Sequence, residues 1–287
     1  MGSEVAQIHR SVSICRSGSC GNNHPAKFDM KPNIEPRFSQ SGVERYPGES
    51  DDRTWLEADI AQRPPEDQEI IRRTLTRYDA EGEKNSYQSD PGALLELIEQ
   101  EKLLEGSGSI VDLGAGPGGL VRGLADRYPE TNILGIDLSP NFVGNFNAND
   151  KPENAVMRMG LIDSPGTVDR IGPMTEGSVI STLTLDRVAD PRQLIDNMGR
   201  FKGRKILGTI LPIVAEDDDP SRQGEKITYT RPERRIAPGV TEEEDAEAVL
   251  ELLKASWGEG VRAYQVPYIG ESSGDRWEYT LWVFVAD

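Results

Sequence analysis

The chain is poor in the side chains that most often move protons or bind metals near neutral pH. It has two histidines and two cysteines among 287 residues, and His9, Cys15, Cys20 and His24 all fall near the amino terminus. A histidine base is therefore missing from the rest of the chain, and two nearby thiols cannot staple a disulfide scaffold. Long apolar runs are missing as well, so no stretch spans a bilayer, and the amino terminus lacks the regions of an export signal. These absences point to a cytoplasmic protein. Positive charge is also short: 32 Lys and Arg stand against 49 Asp and Glu, a net charge of −17. Phosphate contacts need clustered cations, so a nucleic-acid substrate and an anionic membrane surface are both disfavoured.

What remains suffices for one sizeable α/β core with appendages. Residues 1–52 are rich in Ser, Gly, Asn and Pro without a sustained apolar period, and read as a poorly ordered leader. The four His and Cys there offer the donors of a tetrahedral metal site, but the C-x4-C-x3-H spacing fits no common zinc module, and no metal is assigned. Residues 53–105 carry apolar positions at helical spacing, broken by Pro64-Pro65, and read as a helical cap.

The organising stretch is Ser109–Pro140, SIVDLGAGPGGLVRGLADRYPETNILGIDLSP. An apolar run enters a turn with Gly114, Gly116, Gly118 and Gly119, a helical pattern follows, and a second apolar run ends at Asp137. Glycines let a backbone approach a ligand closely and take the positive φ angles of a tight turn. An acid at the end of the second strand stands where a ribose presents two hydroxyls. Gly114, Gly116 and Gly119 also satisfy the dinucleotide pattern G-x-G-x-x-G, so the glycines alone leave NAD open.

Asp112 adds the distinguishing residue. The run V-D-L-G-A-G-P-G at Val111–Gly118 resembles the first motif of class I (Rossmann-like) S-adenosylmethionine (SAM)-dependent methyltransferases. The resemblance implies SAM as cofactor, with Asp112, Gly114, Ala115, Gly116 and Gly118 around its methionine half. It further implies Asp137 and Leu138 at the ribose, Ile162 and Asp163 at the adenine, and Thr182 beside them. For Asp163, helix capping is the competing role.

The remaining alternation runs Ala155–Ile162, Ser178–Leu185 and Lys205–Val214 as strands, with Glu242–Trp257 as a helix. Val261–Ile269 and Trp277–Ala286 then form a hairpin. This resembles a doubly wound, mostly parallel seven-stranded sheet with an antiparallel last strand, residues 106–287 forming the SAM-binding domain and 215–241 a lid-like insertion.

The sulfonium of SAM is already activated, so positioning of a nucleophile is the protein's main task. A phenol or carboxylate acceptor calls for a base, for which Asp186, a tyrosine such as Tyr87 or Tyr229, and His24 folded back over the cleft are the candidates. Tyr78, Arg187, Tyr229 and Arg231 are candidate substrate contacts, with a surface ion pair as the other reading of Asp186 and Arg187. The reading is an O- or N-methyltransferase of a small molecule, in specialised metabolism. Alternatives are a protein or carrier-bound substrate, or a SAM-binding protein that transfers no methyl. The oligomeric state is left open, with a homodimer as one option.

Overall fold

The computed structural model describes residues 49–84, 87–149, 151–211, 242–272 and 275–287. The leader residues before 49, with the four His and Cys, and the insertion with Tyr229 and Arg231 lie outside the described residues.

Two helices come first, α1 (Glu49–Ala61) and α2 (Pro65–Lys84). A doubly wound sheet follows. Its elements are β1 (Tyr87–Asp90), α3 (Gly92–Gln100), β2 (Ser109–Leu113), α4 (Gly119–Arg127), β3 (Asn132–Asp137) and α5 (Pro140–Ala148). Next come β4 (Ala155–Met159), α6 (Pro165–Ile171), β5 (Ser178–Thr182), α7 (Pro191–Gly199) and β6 (Lys205–Ile210). The chain closes with α8 (Glu242–Trp257), β7 (Arg262–Ser272) and β8 (Asp275–Ala286). The strand order is β1-β7-β8-β6-β5-β2-β3-β4. Strands β2 to β6 are parallel to one another, and β8 runs antiparallel between β6 and β7.

Seven of these strands form the expected sheet, and β1 is an eighth. It pairs antiparallel with β7, Tyr87 opposite Ser272 and Asp90 opposite Ile269. Tyr-Gln-Ser-Asp carries no apolar alternation, so this strand exists because β7 runs to Ser272 and offers it an edge. Both β1 and α3 therefore attach to the sheet, although their sequence reads as part of the cap.

Alternation assigns the strand residues to two cores. Ile110, Ile133, Ile180 and Ile206 join one buried cluster with α3, α4 and α5. Val111, Leu134, Val179 and Leu207 join the other, with α6, α7 and α8. The helices start at sequence-coded caps. The Ser139 hydroxyl accepts from the Phe142 N–H at 3.3 Å ahead of Pro140, and the Asp190 carboxylate accepts from the Gln193 N–H at 3.1 Å ahead of Pro191.

A third cluster fixes α1 and α2 over the carboxyl side of the sheet, with Leu56, Ile60 and Ile71 against Leu161 and Ala189. Charge pairs join the same surfaces. Asp59 meets Arg170 at 2.7 Å, and Arg63, in the turn between the two helices, meets Asp163 at 3.3 Å.

Phe146 of α5 is 1% exposed and packs beneath the glycine turn. Phe146→Ala should lower stability by about 3–5 kcal/mol, measured by urea unfolding. A loss under about 1 kcal/mol would contradict this packing.

Candidate functional site

The carboxyl ends of β2, β3, β4 and β5 open into one cleft of about 1140 Å³, a figure that includes solvent at its mouth. Ligand sites in open α/β sheets lie at this edge.

The turn after β2 forms its floor. Gly114, Gly116 and Gly118 have φ of +84°, +54° and +84°, a region that side chains with a Cβ rarely enter. The N–H groups of Gly114 and Ala115 both donate to the Ile136 carbonyl, at 2.8 and 3.0 Å, which stitches the turn to β3. A Cβ at position 114 would stand 2.2 Å from Thr184 Cγ2, and one at 118 would stand 2.3 Å from Phe146 Cδ2. At 116 a Cβ would meet nothing within 4 Å, so open space lies above that residue.

Asp137, at the tip of β3, is 9% exposed. One carboxylate oxygen accepts from the Gly116 N–H and the other from the Ser139 N–H, each at 2.8 Å. A carboxylate oxygen has two acceptor positions, so both keep capacity for a further donor. Burial pushes the carboxyl up to about 6, against the pull of its N–H partners, with the nearby Asp79 charge adding to the rise.

Asp112, on the neighbouring strand, is 1% exposed, and its Oδ1 has no hydrogen-bond partner. Burial first, and the Asp137 charge second, push it up to about 7. A buried carboxylate with an unsatisfied oxygen facing a cleft calls for a cationic ligand group. Asp163 is fully buried, which raises its carboxyl, while Arg63 opposes the rise. Its Oδ2 accepts from the Asp190 N–H at 2.8 Å, and its carbonyl accepts from Arg63.

Asp112, Gly114, Ala115, Gly116, Asp137 and Leu138 all line the cleft, as do Ile162, Asp163 and Thr182. Gly118 sits just behind the lining as the N-cap of α4, without a side-chain cap. Tyr78 of α2 and Arg187 also line it and meet there, Arg187 Nη1 donating to the Tyr78 hydroxyl at 2.5 Å. Asp186 lies outside the lining, 38% exposed, with a carboxylate oxygen 3.5 Å from Arg187 Nε. Tyr87 is placed in β1.

Sequence reasoning passed over Ile70, Ile71 and Thr74 on α2, Pro91 and Leu94 at the start of α3, and Tyr268 and Leu281 on the hairpin, which line the cleft too. Their apolar character reads as core. Leu183 is a further lining residue, held at φ +57° just past β5. A leucine in that conformation is uncommon and is found where the surrounding structure enforces it.

The acid pair gives stability a pH signature. Both carboxyls sit above their ordinary value, so between about 3.8 and about 7 the folded chain keeps a proton on Asp112 that the unfolded chain has released. Stability from this group falls as pH rises through that window, and the loss is complete above it. Asp112→Asn should therefore gain on wild type between about pH 5 and about pH 8 in urea unfolding of the ligand-free protein. An unchanged difference at the two pH values would contradict the raised carboxyl.

A family model for FtsJ-like methyltransferases matches residues 94–200, from α3 to the end of α7. No curated protein matches the sequence. Among solved structures, a SAM-dependent methyltransferase from Anabaena variabilis ATCC 29413 is similar at 13% identity and a TM-score of 0.53, covering 75% of this chain and 93% of that one. A protein solved in work on conversion of a disulfide bond into a thioacetal group during echinomycin biosynthesis is similar at 16% identity. It covers 74% of this chain and 91% of its own, with a TM-score of 0.49. The N-terminal domain of EvdMO1, with SAH bound, is similar at 15% identity, 70% and 82% coverage and a TM-score of 0.48. The Anabaena likeness shows the fold. The strand order and the Anabaena likeness give this chain the class I, Rossmann-like fold of SAM-dependent methyltransferases, and its residues 94–200 match the FtsJ-like methyltransferase model.

Proposed function

We propose that the chain methylates an oxygen or nitrogen of a small-molecule acceptor, in specialised metabolism. The observation that carries the small-molecule reading is the lining of the cleft, which beyond the glycine turn and its acids is largely apolar, with Ile70, Ile71, Pro91, Leu94, Leu183 and Leu281 on it. Small-molecule sites are concave and mostly apolar, with few polar groups placed to orient the ligand.

The residues present fit SAM, which when bound supplies a methyl group on a positively charged sulfur. In this reading the Asp112 carboxylate, buried with an unsatisfied oxygen, takes the cationic side of the methionine half. The glycine turn and the uncapped start of α4 pass backbone N–H groups close to its carboxylate. Asp137 uses its remaining acceptor positions on the ribose hydroxyls. Leu138, Leu161 and Ile162 enclose the adenine, and Asp163 closes that edge while holding Arg63. Thr182 lies on the floor between the two halves.

Helices α1 and α2 act as a cap, which takes residues 49–52 from the expected leader, residues 106–287 form the SAM-binding domain, and residues 215–241 serve as a lid. We place the protein in the cytoplasm without nucleic-acid or membrane partners, which the acidic charge supports. Among the described residues, no helix is long and apolar enough to cross a membrane, and no His, Cys, Asp and Glu group is arranged to hold a metal.

Two measurements test this reading. Asp137→Ala should weaken SAM binding by about 1–3 kcal/mol, the worth of hydrogen bonds to a charged group; calorimetry showing unchanged affinity with the fold intact would remove Asp137 from the site. Incubated with SAM and a fractionated cell extract, the protein should form S-adenosylhomocysteine with the low-molecular-weight fraction. Product formed only with the protein fraction would contradict the small-molecule acceptor.

A further inference from the structure

The two buried acids of the cleft are unequally supplied with donors. Asp137 has an N–H group on each carboxylate oxygen, from Gly116 and Ser139. Asp112 lines the same cleft, is 1% exposed, and receives no donor at its Oδ1. Its strand is paired on both sides, with Gly135 of β3 and Ile180 of β5 in register, so it stands inside the sheet and away from any edge that water reaches.

The charges around Asp112 do not compensate for this. The titratable groups that line the cleft with it are Asp137 at the tip of β3, Asp163 after β4, Arg187 after β5, Tyr78 of α2 and Tyr268 of β7. Behind these stand Asp79 on Ser139, Arg63 on Asp163 and Asp186 beside Arg187. Of all these charges, the one that bears on Asp112 is that of Asp137, which has the same sign. A buried carboxyl with neither donor nor cation keeps its proton, because the neutral form avoids the cost of a buried charge. Burial and Asp137 hold Asp112 up at about 7, whereas N–H partners leave Asp137 at about 6. As acid is added, the pair therefore takes its first proton on Asp112.

The methionine half of SAM ends in an amino group, which below about pH 7.5 is an ammonium with three N–H donors. Set against Asp112, it supplies both things that the carboxyl lacks, a donor and an opposite charge, and so favours the ionised form. The O–H bond of Asp112 breaks, its electron pair stays on the carboxylate, and the proton passes to water.

Resting on the cofactor placement proposed above, we infer that Asp112 couples cofactor capture to proton release: it is protonated in the ligand-free protein, yields its proton to solvent as the ammonium binds, and makes cofactor affinity fall in acid. Below neutral pH, binding must first expel that proton. Near pH 7.5 most of it is already gone, and the dependence flattens.

The test is calorimetric titration of the full chain with S-adenosylhomocysteine, run in buffers of different ionisation heat so that released protons are counted. Adenosine, which has the ribose and adenine without the ammonium, is the control on the same wild-type chain and carries any contribution of Asp137 and Asp163. At about pH 6, S-adenosylhomocysteine should release about one proton more than adenosine does, and its affinity should be at least about fivefold weaker than at about pH 7.5. Asp112→Asn, similar in shape but without a titrating proton, should bind S-adenosylhomocysteine more weakly and lose the excess release. No release, net proton uptake, release equal to that with adenosine, or an excess that survives in Asp112→Asn would each overturn the inference. Binding of S-adenosylhomocysteine without proton release removes this inference and leaves the cofactor placement standing, whereas no binding at about pH 7.5 removes both.

Discussion

Two buried carboxyl groups at the tips of neighbouring parallel strands set the terms for the rest of the molecule. Asp112 pairs in register with Gly135, and Asp137 ends the same strand two residues on. Burying two acids so close together is costly, and both carboxyls rise accordingly. What keeps Asp137 in place is backbone, through the N–H groups of Gly116 and Ser139. The Gly116 N–H comes from a turn that adopts left-handed conformations at three glycines, and the Ser139 N–H from the cap of the helix after β3. The cost that remains on Asp112 is one that a cationic ligand group would relieve.

Helix α2 reaches this pair through Ser139, whose N–H donates to Asp137. Asp79 of α2 accepts from the Ser139 hydroxyl at 2.8 Å, and the Asn141 side-chain amide donates to the Asp79 carbonyl at 3.1 Å. One residue earlier, Tyr78 takes Arg187 from the loop after β5. At the other end of the helix, Arg63 takes Asp163 from the loop after β4. The polar contacts of α2 and its preceding turn with the sheet thus fall on residues of the cleft or beside it. These contacts tie α2 and its preceding turn to the loops after β3, β4 and β5.

Much of this was legible in the sequence because it rests on local patterns. The apolar runs Ile110–Leu113 and Ile133–Ile136 bury both faces of their strands, and such strands announce themselves as continuous hydrophobic stretches. The glycine turn and its acids are fixed by spacing. The strand ends were less legible. Ala155–Ile162 and Ser178–Leu185 read as single strands, yet β4 stops at Met159, where the Gly160 N–H donates to the Asp137 carbonyl, and β5 stops at Thr182, where Leu183 turns left-handed. In both places the sheet gives way to cleft, and apolar character cannot distinguish a strand residue from a wall residue. The pairs Arg63–Asp163 and Tyr78–Arg187 span 100 and 109 positions of sequence, so no local signal could join them. Strand β1 was missed for a related reason, since its pairing depends on the reach of β7.

In the proposed function the acid pair and the glycine turn hold SAM, although the same glycines satisfy a dinucleotide pattern. Calorimetric titration of the purified chain with SAM, S-adenosylhomocysteine and NAD, side by side, tests it most directly. The first two should bind at about micromolar strength and NAD not at all. Binding of NAD alone would contradict it and make the turn a dinucleotide site.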